Sequence, residues 1–289
     1  MILNASGCLD ALTAPDVARQ LDAFVTKTVT PLPRGGNEPT RIAETAVGML
    51  NSIGLANPGI EAFIADVLPR LAELGVPIWV SVGGFCVEDY ADLCRRLGAE
   101  PVVQTIELNV SCPNVAEPEG EVGEIVAAAR AATSKPLYAK LSPGASALAA
   151  VAESAARAGA DGLSLVNTIR GLALDGSTLE PTLSTATGGL SGPALRPLAL
   201  AAVYACSRAT ALPIVGMGGV ESGRHALELV AAGASACALG TVLFRDPEAP
   251  VRIRAELEAE AAALGFETPL AAHGAAHGKE GRRVLRRVA

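Results

Sequence analysis

The sequence predicts an α/β fold, a (β/α)8 TIM barrel, and three observations carry that prediction. Short apolar or β-branched runs recur along most of the 289 residues, and Ala-rich stretches of helical length lie between them. No Pro-, Gly- or Ser-rich linker divides the chain. Repeated β-α units without a break are the signature of a closed parallel sheet of ordinary size.

Taken in order, the expected strands are 24–29, 49–55, 77–82, 105–111, 137–141, 162–166, 213–217 and 236–240. The run 105–111, Thr-Ile-Glu-Leu-Asn-Val-Ser, alternates apolar and polar residues as a strand does. The second run is the most diluted, because Gly48 and Gly54 flank it, and it leaves an open doubly wound sheet as the alternative architecture. Segments 121–133, 146–158 and 223–232 read as helices, and such segments often end in Gly-Ala before the next strand. Residues 171–197 fall outside the repeat as an insertion. The barrel is expected over 1–267, followed by a basic tail, 268–289, in which Lys279, Arg282, Arg283, Arg286 and Arg287 face one acid, Glu280. Such a charge run reads as a disordered, solvated end.

Composition narrows the function. Half the residues are hydrophobic, with a mean hydropathy of +0.36, ample for a large core, and only 3% are aromatic. A formal charge of −7 and a pI near 5.1 give no positive field for a phosphate backbone, so no nucleic-acid partner is expected. The first residues lack a signal peptide's basic and apolar regions, and no uncharged run reaches bilayer-spanning length, so the expectation is a soluble, cytoplasmic protein without a membrane anchor. Six cysteines (Cys8, Cys86, Cys94, Cys112, Cys206, Cys237) stand singly, with no C-x-x-C pair and no histidine at ligand spacing, which argues against disulfides, zinc or an iron-sulfur cluster in this chain.

In a barrel the site is built where strands end, so those ends are read in turn. They supply Lys27-Thr28, Asn51, Ser81, Asn109 with Cys112, Lys140, Asn167-Thr168, Gly218-Gly219 and Gly240-Thr241. Lysine is informative because the chain has only four (Lys27, Lys135, Lys140, Lys279) among 23 basic residues, and two of them fall at strand ends. A compact ammonium there suits a ring or an anion better than a generic surface charge. Glycines after the seventh and eighth strands are where barrels commonly hold a phosphate through backbone N–H groups. The amides and hydroxyls, joined by Asn114, can satisfy a small cyclic diamide. Carboxylates are missing from these ends, since Glu107 and Asp161 precede their strand ends, which leaves a paired-acid hydrolase or a magnesium site without its groups.

Cys112 sits between Asn109 and Asn114 and directly before Pro113. A cysteine is often just a small buried hydrophobe. Here Pro113 removes a ladder donor and biases Cys112 toward extended or turn geometry, which places the thiol in a loop at a strand end. A thiol so placed can serve as an acid or base once activated.

Together these residues resemble the class 1 dihydroorotate dehydrogenases, flavoproteins on a (β/α)8 barrel. The resemblance runs from about Asn4 to Pro247, carried by Asn4-Ala5-Ser6-Gly7, Thr26-Lys27-Thr28, Gly-Met-Leu-Asn-Ser-Ile-Gly-Leu over 48–55, Asn-Val-Ser-Cys-Pro-Asn over 109–114, Lys140-Leu141-Ser142-Pro143, Gly-Gly-Leu-Ser-Gly-Pro-Ala over 188–194 and Gly216-Met217-Gly218-Gly219. The wording of 48–55 and 188–194, with Phe244-Arg245-Asp246-Pro247, is similar to type B catalytic subunits. The resemblance implies oxidation of dihydroorotate to orotate in pyrimidine synthesis, with FMN as cofactor and Cys112 as base. It further implies FMN contacts at Ser6, Lys27, Thr28, Ser81, Asn109, Lys140, Val166, Gly192, Gly218, Gly219, Gly240 and Thr241. Substrate contacts would be Lys27, Asn51, Ser52, Ile53, Gly54, Leu55, Asn109, Asn114, Asn167 and Thr168. Lys140 would steady the negative charge of the reduced flavin. A homodimer or heterotetramer is implied, with an electron-transfer subunit carrying FAD and a [2Fe-2S] cluster and delivering electrons to NAD.

Three departures from the family pattern stand out. The match begins almost at Asn4, so the leading strands that usually close the N-terminal face are not expected. After Asn114 the sequence Val-Ala-Glu-Pro-Glu-Gly leads quickly toward a helix, which implies a short substrate lid, and Gly36-Asn37-Glu38-Pro39-Thr40-Arg41 implies a reshaped rim. Two alternatives therefore stay open at this stage: a flavin enzyme acting on another pyrimidine, and a flavin-binding paralogue without turnover. A tRNA-modifying flavin barrel is disfavoured by the acidic charge.

Overall fold

The structure, a computed structural model, describes residues 1–111, 121–144 and 147–278. In chain order its strands are β1 (Ile2–Asn4), β2 (Phe24–Val25), β3 (Ile42–Thr45), β4 (Gly48–Asn51), β5 (Ile78–Val82), β6 (Val103–Asn109), β7 (Leu137–Leu141), β8 (Gly162–Leu165), β9 (Ile169–Leu172), β10 (Thr187–Ser191), β11 (Ile214–Met217) and β12 (Ala236–Leu239). The helices are α1 (Pro15–Ala18), α2 (Gly59–Ala62), α3 (Leu68–Ala72), α4 (Val87–Gly98), α5 (Val122–Ala132), α6 (Leu148–Arg157), α7 (Arg196–Ala209), α8 (Gly223–Ala232) and α9 (Ala249–Ala263). No helix among these residues is long and apolar enough to cross a membrane.

Eight strands pair in parallel in the order β1-β12-β11-β8-β7-β6-β5-β2. The ring is joined between its two ends by a Leu3–Ala23 bridge and by the buried side chain of Asn4, whose Nδ2 donates to Val25 O at 2.7 Å and whose Oδ1 accepts from Val25 N at 2.8 Å. A (β/α)8 barrel is therefore the architecture, but with one strand exchanged. The expected strand at 49–55 is not a stave of the barrel. Its place is taken by Ile2–Asn4, and Gly48–Asn51 instead pairs antiparallel with β3 and β10. Two residues of parallel pairing in β2 and three in β1 are enough because neighbouring strands and helices bury them on both faces.

Inside the ring, Trp79 and Tyr138 fill the floor with centroids 4.7 Å apart. Gly162 makes this arrangement possible, since a Cβ there would lie 2.2 Å from the Tyr138 ring. Outside it, Leu93, Leu97, Ile106, Leu108 and Ile125 are fully buried between strands and helices. The Ala-rich helices sit close to the sheet through Ala152 and Ala155 of α6 and Ala199 and Ala202 of α7. The insertion after β8 is the second sheet: β9 and β10 join β3 and β4 in the order β3-β4-β10-β9. At its join, the glycines Gly48 and Gly192 stack backbone on backbone, with a Cβ on Gly192 placed 2.7 Å from Gly48 Cα.

Residues 268–278, expected as part of a disordered tail, instead form two 3-10 turns against α8. His273 Nε2 meets Gly233 O at 2.9 Å and His277 Nε2 meets Ala232 O at 2.8 Å, so both imidazoles satisfy carbonyls at the helix C-terminus. The basic residues Lys279, Arg282, Arg283, Arg286 and Arg287 lie outside the described residues.

The closure of the ring is acid-sensitive. Asp22 accepts the Ile2 N–H at 2.7 Å and an Arg254 N–H at 3.0 Å. Burial pushes its carboxyl upward, but Arg254 and the Ile2 N–H outweigh burial and hold it below the usual carboxylate range. A depressed folded value means that this stabilisation is present above the unfolded value of about 3.9 and is lost as pH falls through the folded one. Asp22→Asn is therefore expected to lower the melting temperature near neutral pH, with the difference from wild type shrinking as pH drops toward about 3. Melts that differ by the same amount at every pH count against this linkage.

Candidate active site

A cleft enclosing about 1260 Å³, open solvent included, lies at the C-terminal ends of the barrel strands. Of the residues expected from strand ends and motifs, Ser6, Lys27, Thr28, Asn109, Lys140, Val166, Asn167 and Thr168 line it. Gly192, Gly218, Gly219, Gly240 and Thr241 form one corner, and Asn51, Ile53, Gly54 and Leu55 form the rim. Ser52 and Ser81 are buried behind the wall rather than on it. The Ser52 hydroxyl is held by Asn37 Nδ2 at 2.8 Å and Thr185 Oγ1 at 2.6 Å, so it shapes the rim loop. Cys112 and Asn114 lie outside the described residues; Ser111, which directly precedes Cys112, is in place beside the cleft.

A continuous polar chain runs across the cleft wall. Thr28 Oγ1 lies 3.3 Å from Ser6 Oγ and 3.1 Å from Ser81 Oγ, and it accepts from Asn109 Nδ2 at 3.1 Å. Asn109 Oδ1 accepts from Asn167 Nδ2 at 3.0 Å, which also reaches Ser111 O at 3.2 Å. Ser111 Oγ donates to Lys140 O at 2.8 Å, and from behind Tyr90 OH donates to Asn109 O at 2.9 Å. Each amide is held by partners from neighbouring strands, so its orientation is set by the barrel register.

Both strand-end lysines reach the cleft. Gly7 leaves room for Lys27, since a Cβ there would lie 2.9 Å from Lys27 Cδ. The Lys140 side chain is only 6% exposed, and its Nζ lies 3.5 Å from Oε1 of Glu107, itself fully buried. Two carboxylates approach the cleft from positions other than the strand ends. Glu107 reaches Lys140 from within β6, and Glu221 lines the cleft while paired to Arg245 at 2.6 Å.

The glycine corner is open where a side chain would stand. A Cβ on Gly240 would point toward cleft residues, 3.7 Å from Cys8 Sγ and 3.8 Å from Ala5 Cβ, so its absence widens the cleft. Gly218 and Gly219 have φ of +127° and +69°, a left-handed turn closed to most side chains. Beside them Thr241 Oγ1 lies 2.9 Å from Ser191 Oγ. Hydroxyls and a side-chain-free backbone at one corner, with ammonium groups and amides at the other, match an elongated ligand with an anionic tail and a polar ring.

The cleft also contains Cys8, Ile42, Met49, Leu195, Met217 and Phe244, which reading strand ends did not single out. Met217 ends β11 and Ser191 and Leu195 flank Gly192, so those signals were in the sequence; Ile42 arrives only through the second sheet. Burial pushes the Cys8 thiol above its ordinary range, against the pull of Lys140 and Lys27. Cys94, Cys206 and Cys237, away from the cleft, are pushed up to about 12 by burial.

Comparison with known proteins agrees with this geometry. The sequence model of the dihydroorotate dehydrogenase family matches residues 1–260. The chain is 46% identical over 264 residues to the dihydroorotate dehydrogenase B (NAD(+)) catalytic subunit of Pelobacter propionicus, covering 89% of this chain and 84% of that one. To the protein of the same name from Desulforudis audaxviator it is 44% identical over 265 residues, covering 89% and 86%. In fold it is similar to a crystal structure of the Eimeria tenella dihydroorotate dehydrogenase in complex with ferulenol, with a TM-score of 0.78 and 22% identity, over 96% of this chain and 85% of that one.

Proposed function

The chain belongs to the dihydroorotate dehydrogenase family, and on that premise we propose that it oxidises dihydroorotate to orotate, with FMN held in the cleft and Cys112 as the base. The observation that carries this reading is the joining of two lysines, a chain of amides and a side-chain-free glycine corner in one cleft. Bound FMN would supply the two-electron acceptor for the hydride that leaves C6 of the substrate.

The chain's own residues do the rest. Gly218, Gly219, Gly240 and Thr241 take the phosphate through backbone and hydroxyl groups. Ser6, Thr28, Asn109, Val166 and Gly192 support the ring system, with Ser81 behind Thr28. Lys140 and Lys27 place positive charge where electron density builds up. Asn51, Asn114, Asn167, Thr168 and the 52–55 loop hold the cyclic diamide by its N–H and C=O groups. Cys112, as thiolate, removes the proton from C5, and Ile42, Met49 and Leu55 give the cleft an apolar side.

The relatives' designation as NAD(+) catalytic subunits supports a partner subunit that passes electrons to NAD, and FAD and a [2Fe-2S] cluster are the carriers proposed for that partner. A dimer of this chain at the centre of a heterotetramer fits that arrangement. The decisive measurement is the visible spectrum of the purified chain under anaerobic conditions. A yellow protein that bleaches on addition of dihydroorotate is expected; a bound flavin that dihydroorotate leaves oxidised counts against the reading.

A further inference from the structure

The interior of the barrel beneath the cleft carries a charge pair that strand-end reading did not foresee. Glu107 and Lys140 stand on adjacent parallel strands in a register that pairs Asn109 with Lys140 and Glu107 with Tyr138. Glu107 therefore sits one pleat below the cleft wall, on the same inward face as Asn109. It is 1% exposed, in register with Tyr138 of the floor, and its Oε1 lies 3.5 Å from Lys140 Nζ. Across the other edge of β7, Ser164 is in register with Lys140, and its buried Oγ makes no hydrogen bond among the described residues. The level that holds the ammonium is thus polar on both flanking strands, where packing alone would call for aliphatic side chains.

A buried carboxylate is retained in such a place only if its charge is matched. The match alters what the cleft offers a ligand. An isolated ammonium acts on a bound ring as a full positive charge, whereas an ammonium backed by a carboxylate 3.5 Å away acts as a dipole, whose influence falls off faster with distance.

We propose that Glu107 is a positioning residue that anchors Lys140 and moderates the positive charge it presents, so that the cleft does not over-stabilise an electron-rich, reduced ring. This rests on the reading that a flavin occupies the cleft. Glu107 would thereby hold the potential of the bound flavin low enough for electrons to move on to a further acceptor.

The test is the midpoint potential of the flavin bound to the full chain, measured with a redox dye for wild type and Glu107→Gln, a variant that keeps shape and an acceptor for Lys140 but removes the charge. The reduced form is expected to gain at least tenfold in binding over the oxidised form, a rise of about 30 mV for a two-electron couple, while flavin content is retained. Lys140→Met is expected to move the potential the opposite way. An unmoved or lowered potential in Glu107→Gln overturns the proposal. Should that variant fail to fold, Glu107→Asp, which withdraws the charge from Nζ by one methylene, is expected to raise the potential by a smaller step, and no rise overturns the proposal there too. A wild-type chain that takes up no flavin overturns the cofactor reading and this proposal together; equal potentials in flavin-loaded proteins overturn this proposal alone.

Discussion

Cys112→Ala is expected to leave the protein yellow and folded while slowing its bleaching by dihydroorotate about 10²- to 10⁴-fold, the usual contribution of a positioned general base. The expectation follows from what the other cysteines can do. Cys8 lines the same cleft, but burial raises its thiol above the ordinary range despite Lys140 and Lys27, so it stays protonated near neutral pH. Cys94, Cys206 and Cys237 are buried away from the cleft and pushed up to about 12. None of them can substitute as a thiolate. The wild-type rate should rise with pH as the thiol ionises, a free cysteine having a value of about 8.5, and Cys112→Ser should retain only slow bleaching that grows in alkaline solution. Stopped-flow reduction of the bound flavin across pH checks both. Near-wild-type bleaching by Cys112→Ala would falsify the assignment and turn attention to Cys8.

The largest effect on stability is expected from Gly223→Ala. Gly223 opens α8 where α9 crosses it, and a Cβ at this position would lie 2.1 Å from Leu257 N and 2.3 Å from Glu256 C. These are backbone atoms of a helix and cannot swing aside, so α8 and α9 must separate. The same shift strains the Gly223 N–H bond to Glu256 at 2.7 Å and the Arg252–Glu256 pair. Overpacking of this kind costs roughly 1 to 3 kcal/mol, and the upper end is expected here. In a chain of this size that corresponds to a fall of about 5 °C in melting temperature. The loop of Gly218 to Glu221 leads directly into α8, and Arg252 donates to Glu221 O at 3.2 Å, so flavin affinity should fall with stability. Calorimetry and a flavin titration measure the two effects; an unchanged melting temperature would show that the helices accommodate the methyl group.

Much of the fold was legible from local pattern. Seven of the eight expected runs supply barrel strands, because apolar and β-branched residues between Ala-rich helices leave little choice of element. The exception is instructive. Met49 to Asn51 is extended, as expected, but it belongs to the small antiparallel sheet, since its partners Ser191 and Gly189 lie about 140 residues away in sequence. Ile2–Asn4 is too short to show a period, and it becomes a barrel strand only because β12 and the Asn4 side chain complete it. The tail beyond Thr268 likewise read as a charge run, whereas its first part is held by two imidazoles against helix carbonyls.

The site divides in the same way. The sequence by itself determined which chemical groups are available at the strand ends: Lys27, Lys140, Asn109, Asn167, Thr28, Gly218-Gly219 and Gly240-Thr241 all arrive at one cleft because every parallel strand presents its end on the same side. Cys112, which directly follows Ser111 in the sequence, lies outside the described residues. Only the tertiary structure decided how those groups are partnered. Glu107 and Lys140 are 33 residues apart, and no local period relates them; the register of β6 against β7 brings the carboxylate to the ammonium. Identity and spacing along a strand are local properties, encoded residue by residue. The charge that a buried lysine presents to its ligand depends on what stands across from it, and that is set by the closure of the whole ring.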